Sequence, residues 1–177
     1  VLYIRFLLDN KIHTRKDIQD IVKAPYLGDI PKTTAKEKVL VTENDRSSVA
    51  EAFRVLRTNI SFMLSGSEKN AKTIFITSTI AAEGKTFIAI NLASVLAVSS
   101  KKVLLVGADI RKPKINEYLN VSKEKGLTDF LTNNAMEVSE VVFRDETMNF
   151  DTIHTGIIPP NPSELLMNGR FNEIIKY

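Results

Sequence analysis

A three-layer α/β fold, with helices over both faces of a mostly parallel sheet, is predicted by three features of the sequence. The first is Thr73-Ile74-Phe75-Ile76-Thr77, a β-branched and apolar run that reads as a short buried strand. The second is the stretch behind it, Ser78-Thr79-Ile80-Ala81-Ala82-Glu83-Gly84-Lys85-Thr86, which leads into a helical run from Phe87 to Ala97 rich in Ala, Leu, Ile and Val. The third is Val103-Leu104-Leu105-Val106, apolar on both faces, as a parallel strand covered by helices requires. Strand, loop, helix and strand in that order make a right-handed βαβ unit.

A Gly-Lys-Thr at the strand-to-helix junction has a direct physical use. Backbone N–H groups at the helix start point at an anion, the Lys85 ammonium reaches β/γ oxygens, and the Thr86 hydroxyl ligates Mg²⁺. Phosphates of ATP or GTP are thus expected against Thr79, Ala81, Ala82, Glu83, Gly84, Lys85, Thr86 and Phe87. The pattern is relaxed, because Thr79 stands where the strict G-x-x-x-x-G-K-[ST] motif has its first glycine. The second strand runs into Gly107-Ala108-Asp109-Ile110-Arg111-Lys112-Pro113, which sets Asp109 at the carboxyl edge of the sheet, facing the same crevice as Lys85. A carboxylate there can hold Mg²⁺ or its water shell and take a proton from an attacking hydroxyl. The competing reading makes Asp109 the cap of the next turn and the Asp109–Arg111 pair a local salt bridge.

Composition bounds the rest. The 177 residues, 44% hydrophobic and 25% charged, fit one soluble domain with a buried core. A net charge of +3, with Lys and Arg dispersed and no aromatic-interleaved stripe, does not point to nucleic acid. The absence of cysteine excludes disulfides, thiolate metal sites and a cysteine nucleophile, and suits a reducing compartment such as the cytoplasm. His13 and His154 lie far apart and read as structural or surface residues, not as a metal site or part of a Ser-His triad. No apolar run reaches the roughly 20 residues of a membrane span. Val1-Leu2-Tyr3-Ile4-Arg5-Phe6-Leu7-Leu8 fits either the cytoplasmic end of a membrane helix, with Arg5 and Lys11 on the positive side, or an ordinary amphipathic element.

Thr14 reads as the N-cap of a short helix running to about Lys23. Ala24 to Pro31, with two prolines and a glycine, breaks it, and polar Lys32 to Arg46 reads as a tether outside the core. Ser47 or Ser48 starts a second helix, with Val49, Ala52, Phe53, Leu56, Ile60 and Met63 or Leu64 near a 3.6-residue period. On it Glu51, Arg54 and Arg57 share one face, either as a seam that docks on another subunit or as a solvated face with an internal Glu51–Arg54 pair. Gly126 to Leu131 reads as a turn into a short helix and Phe150 to Gly156 as a third strand. Pro159 to Pro162 leads into a helix from Ser163, its expected N-cap, to Tyr177. Tyr26 and Tyr118 are isolated tyrosines, read as packing residues with hydroxyls able to accept phosphate.

Several of these segments, in order, resemble the bacterial tyrosine kinases (BY-kinases) of capsular and exopolysaccharide export, whose kinase domain follows a chain-length-determining membrane domain. The resemblance is carried by Leu27-Gly28-Asp29-Ile30-Pro31, by Glu51, Arg54 and Arg57 as an E-x-x-R-x-x-R oligomerisation motif, and by Ala82 to Thr86. It continues through Ala108 to Pro113 as the second acidic motif, Gly126-Leu127-Thr128, and Pro160-Asn161-Pro162-Ser163-Glu164-Leu165-Leu166. It implies a P-loop NTPase fold truncated at its C-terminus, divided into the end of a membrane helix (1–8), a juxtamembrane tether (9–46) and the N-terminal part of a tyrosine kinase domain (47–177). It further implies ATP-dependent tyrosine (auto)phosphorylation that regulates polysaccharide polymerisation and export at the cytoplasmic face of the inner membrane. Lys85, Asp109 and Arg111 would be catalytic, and Thr86 and Asp109 would hold Mg²⁺. Ring-like homo-oligomers are implied, with the membrane chain-length domain, a tyrosine phosphatase and polysaccharide-export proteins as partners.

Three departures qualify the resemblance. Gly107 stands where the family's D-x-D-x-R motif has its first Asp, Ala82 replaces a loop glycine, and the sequence stops before the strand carrying the Walker B aspartate and the tyrosine-rich tail. Two other readings share the loop. A partition- or septum-type ATPase carries a signature lysine where this sequence has Ile80, and a nucleotide-binding regulatory module without kinase chemistry would accommodate Gly107.

Overall fold

A computed structural model describes residues 16–17, 21–33, 41–66, 71–119, 125–144, 148–160 and 162–177. Val1 to Leu8 and His13 lie outside the described residues, as does most of the helix expected from Thr14 to Lys23.

Helix α1, Ser48–Leu64, starts where the capping serine predicts: the Ser47 hydroxyl accepts from Ala50 N–H at 3.1 Å, and Asp45 Oδ1 accepts from Ser47 N–H at 2.8 Å. Its buried residues, Val49, Ala50, Phe53, Leu56 and Ile60, follow the helical period and face helix α2, Lys85–Val98. Phe53 meets Phe87 of α2 with ring centroids 5.8 Å apart. Arg57 reaches the C-terminal turn of α2 and donates to the Val95 carbonyl at 3.3 Å, one of the last four carbonyls that a helix leaves without an internal partner. The polar segment before α1 does not stay outside the core. Val41 is 1% exposed, its N–H donating to Asn91 Oδ1 and its carbonyl accepting from the Ser94 hydroxyl, while Leu27 and Ile30 pack on the same cluster.

Strands β1 (Leu104–Val106), β2 (Phe143–Arg144) and β3 (Asp151–Ile153) form one sheet in the order β1-β3-β2. β1 and β3 are parallel, with Leu105 opposite Thr152, whereas β2 and β3 are antiparallel. The sheet among the described residues is therefore mixed, not mostly parallel. Side chains alternate across β1: Leu104 and Val106 pack with Leu127, Phe130 and Ile174, while Val103 and Leu105 pack with Ile90, Ala93, Ile115 and Phe150.

The run Thr73–Thr77 departs from expectation. It forms no strand and pairs with no described strand, and Phe75 is 75% exposed; only Ile76 packs on the α1–α2 cluster. Burial of a strand needs a neighbour on which to close its ladder, and among the described residues β1 pairs only with β3, its other edge left without a described strand. The expected βαβ unit through this run is accordingly absent from the described sheet.

Short helices complete the chain: α3 (Ile115–Leu119), α4 (Leu127–Thr132), a single 3₁₀ turn (Val138–Glu140), α5 (Pro162–Met167) and α6 (Phe171–Lys176). The last two replace the single helix expected from Ser163 to Tyr177. Pro162 occupies the first helical position, where its missing N–H costs nothing, so Ser163 lies inside α5 instead of capping it. The break falls at Gly169, whose φ of 85° only glycine adopts cheaply. Arg170 beyond it lies over the Phe130 ring, 4.0 Å from the centroid, and donates to the Phe130 and Met136 carbonyls at 2.6 and 2.9 Å and to that of Asn133. Asn168 adds a bond to the Leu131 carbonyl at 2.8 Å. His154 is structural, as read: fully buried, with Nε2 3.3 Å from the Thr152 hydroxyl and its ring against Phe143. Tyr118 likewise packs against the cluster of Ile115 and Leu119.

No helix among the described residues is long and apolar enough to cross a membrane.

Candidate functional site

The loop from Ser78 to Gly84 is closed by its own polar groups. Ser78 Oγ donates to the Ile80 carbonyl at 2.8 Å, and Ile80 N–H donates to Glu83 Oε2 at 3.1 Å. Ala82 takes a positive φ of 69°, a conformation that sets a Cβ against the following carbonyl. Gly84, at φ 95°, then turns the chain into α2, its carbonyl accepting the first helical bond from Ile88 N–H at 2.9 Å. A Cβ at Gly84 would meet nothing within 4 Å, so this glycine serves its dihedral angle and not a close approach. Thr79, Ile80 and Ala81 are exposed at the loop tip, while Thr86 and Phe87 are half-buried in the first turn of the helix.

Lys85 begins α2 and reaches Asp109. Its Nζ lies 3.6 Å from Asp109 Oδ2, with the two side chains 32% and 41% exposed. The other carboxylate oxygen, Oδ1, accepts from Lys112 N–H at 3.1 Å, so Asp109 both caps its own turn and faces the lysine. One oxygen makes the turn-capping bond of the competing reading, and the other faces Lys85. Arg111 is exposed on the same turn. The juxtaposition arises because the N-terminus of α2 and the exit of β1 meet at the carboxyl edge of the sheet, the place where open α/β folds bind ligands.

Among the described residues no group of three or more His, Asp or Glu could cage a metal. Mg²⁺ does not demand one: it keeps several waters and takes one or two protein oxygens beside substrate phosphates. The hard oxygens of Thr86 and Asp109 fit that donor set.

Glu51, Arg54 and Arg57 have partners within the chain. Arg54 pairs with Glu51 and donates to the Asp45 carbonyl at 2.5 Å, and Arg57 is bound to α2 as described above.

Sequence reading missed what lies behind Asp109. Just beyond β3 the carbonyls of His154 and Thr155 accept from Leu127 and Thr128 N–H at 2.7 and 2.9 Å at the head of α4. Gly126 and Gly156 cross there so closely that a Cβ on Gly126 would sit 2.4 Å from Gly156 N and 2.5 Å from the His154 carbonyl oxygen. Asp129 Oδ2 closes the crossing by accepting from Gly126 N–H at 2.8 Å. The sequence offered Gly126-Leu127-Thr128 as a turn and Gly156 at the end of the expected strand, but nothing that placed the two glycines against each other.

A lysine and loop amides at a helix start, facing a carboxylate beyond the end of a parallel strand, define a phosphate-loop α/β domain. The chain belongs to the bacterial tyrosine kinases of capsule and exopolysaccharide synthesis. It is 29% identical over 193 residues to a putative tyrosine-protein kinase in the cps region of Klebsiella pneumoniae, a match spanning 100% of this chain and 26% of that protein. The crystal structure of the chimerical protein CapA2B2 matches with 33% identity and a TM-score of 0.78, over 91% of this chain and 68% of that one. The kinase domain of the Escherichia coli tyrosine kinase Etk matches with 35% identity and a TM-score of 0.72, over 82% of this chain and 56% of that one. The chain spans between 16% and 26% of the length of the curated relatives it matches. No family model matches it.

Proposed function

We propose that the protein is an ATP-dependent protein tyrosine kinase that acts on itself and regulates capsular or exopolysaccharide polymerisation and export. The observation that carries this reading is Lys85 at the start of α2, 3.6 Å from Asp109. In a complete domain of the three-layer P-loop type, Lys85 and the amides from Ala81 to Thr86 would bind the phosphates and stabilise charge on the γ-phosphoryl group during transfer. Thr86 and Asp109 would hold Mg²⁺, which would supply neutralisation of the negative charge on the phosphates. Asp109 would then orient the tyrosine hydroxyl and accept its proton, with Arg111 adding positive charge from the same turn.

Residues 1–8 would end a membrane helix and 9–46 join it to the kinase domain, at the cytoplasmic face of the inner membrane. Ring-like oligomers would bring the tyrosine of one subunit to the site of the next. In them Glu51 and Arg54 on α1, with Arg57 where α1 meets α2, would face a neighbouring subunit. A tyrosine phosphatase and the polysaccharide-export machinery would complete the set of partners.

Lys85→Met in the full-length protein is expected to abolish phosphotyrosine formed with ATP and Mg²⁺, as read by anti-phosphotyrosine detection. Absence of phosphotyrosine in the wild type would remove the kinase reading. If nucleotide-driven dimerisation and ATP hydrolysis then persisted, an ATPase of the partition type would take its place.

A further inference from the structure

Two buried threonines link the exits of β1 and β3 to the head of α4. Thr155, 1% exposed, donates from Oγ1 to the Gly107 carbonyl at 2.9 Å. Thr128, 2% exposed, donates both its N–H and its hydroxyl to the Thr155 carbonyl, each at 2.9 Å. Gly107 is therefore held on both sides, since its own N–H donates to the Ile153 carbonyl at 2.8 Å.

Directly beyond Gly107 the chain leaves the ladder. Ala108 N–H turns back to the Val106 carbonyl at 3.0 Å and Ile110 N–H to the Ala108 carbonyl at 3.1 Å, and between them Asp109 projects toward Lys85. The orientation of the Gly107 peptide sets the direction of that departure, and the group that fixes its carbonyl is the Thr155 hydroxyl. A side chain at residue 107 would press on the same hydroxyl: a Cβ there would lie 3.1 Å from Thr155 Oγ1 and 3.2 Å from the Ile153 carbonyl oxygen. The glycine at 107 and the threonine at 155 are thus fitted to each other.

We propose that Thr155 is a positioning residue for Asp109. Its hydroxyl fixes the Gly107 carbonyl and so aims the Asp109 carboxylate at the metal side of the nucleotide site, while Thr128 steadies Thr155 from behind. The inference rests on the nucleotide reading given above.

The test is ADP affinity of the full-length protein by calorimetry, with Mg²⁺ and with EDTA, and the quantity read is the gain that Mg²⁺ confers. The wild type shows such a gain and Asp109→Asn removes it. Thr155→Val lowers the gain roughly two- to tenfold, the worth of one hydrogen bond, and leaves the affinity in EDTA within about twofold; Thr155→Ser keeps the wild-type gain. Thr128→Val lowers the gain by about twofold, and stands in where Thr155→Val does not fold. An unchanged gain in Thr155→Val, or in Thr128→Val where it stands in, overturns the inference. So does an equal loss with and without Mg²⁺, or a Thr155→Ser variant as impaired as the valine. A wild type that binds ADP without any gain from Mg²⁺ defeats this inference and leaves the nucleotide site standing, whereas one that binds no ADP in either condition defeats the nucleotide reading itself.

Discussion

Around α4, β3 and α6 the chain satisfies its polar groups over long sequence distances, while around the phosphate loop it does so locally and leaves apolar surface uncovered. Arg170 serves carbonyls of residues 130, 133 and 136, and Thr155 serves a carbonyl 48 residues before it. The loop instead closes on itself through Ser78 and Glu83, each bonding within three residues, and the strand-like run before it exposes Ile74 and Phe75. The difference separates a scaffold from a candidate site. A scaffold gains stability by tying distant segments together, whereas a loop that must admit a ligand keeps few contacts that the ligand would have to break.

The contrast breaks most sharply at the crossing of Gly126 and Gly156. Gly126→Ala sets a methyl group 2.4 and 2.5 Å from backbone atoms of two other residues, neither of which is a flexible side-chain end that could swing aside. The expected loss is more than about 3 kcal/mol, with the folded state not recovered at ordinary temperature. Gly84→Ala meets no atom and is strained only by its φ of 95°, so it costs less. Denaturant unfolding of the two variants compares scaffold and site directly, and a Gly126→Ala protein as stable as Gly84→Ala would remove the distinction.

Next in size is Arg170→Ala. It leaves three carbonyls without this donor and removes a cation from the Phe130 face, and the Arg170 side chain is only 12% exposed. A loss of about 3 kcal/mol is expected, most of it from unsatisfied acceptors and about 1 kcal/mol from the aromatic contact. The ion pair with Glu173 adds little, because Glu173 is exposed. Glu173→Ala is accordingly expected to change the unfolding midpoint by a small fraction of the Arg170→Ala shift. Equal shifts would mean that the ion pair, and not the carbonyls, is what Arg170 contributes.

What could be read from the sequence follows the same division. The capping serine and the apolar period of α1 depend on neighbours within a few residues and emerge where expected, and local pattern also marks Gly84 at a helix start and Asp109 beyond a strand end. The roles of Arg170 and Thr155 depend on partners 34 to 48 residues away, about which local pattern carries no information. The run Thr73–Thr77 shows the limit from the other side: β-branched composition identifies a segment fit to be a strand but not which strand closes its ladder. The helix expected from Ser163 to Tyr177 is broken at Gly169, where the break is set by a left-handed backbone angle that the apolar composition on either side does not announce.

A smaller effect than that of Arg170→Ala is expected in the loop, and it runs in the stabilising direction. Ala82 holds φ 69°, where an L-residue with a Cβ pays about 1–2 kcal/mol that glycine does not. Glycine gives back about 0.4–1 kcal/mol through the greater freedom of its unfolded chain. Ala82→Gly should therefore stabilise by roughly 0.5–1 kcal/mol, seen as a higher denaturant midpoint at unchanged slope. Ala82→Val, with a branched Cβ at the same angle, should move the midpoint the opposite way. If glycine lowered the midpoint, the positive φ would not be the strained feature, and the self-closed loop would owe its shape to the Glu83–Ile80 bond instead. Glu83→Gln then decides between them, because it keeps an acceptor for Ile80 N–H while removing the charge, and only a loop held by that charge-assisted bond would weaken.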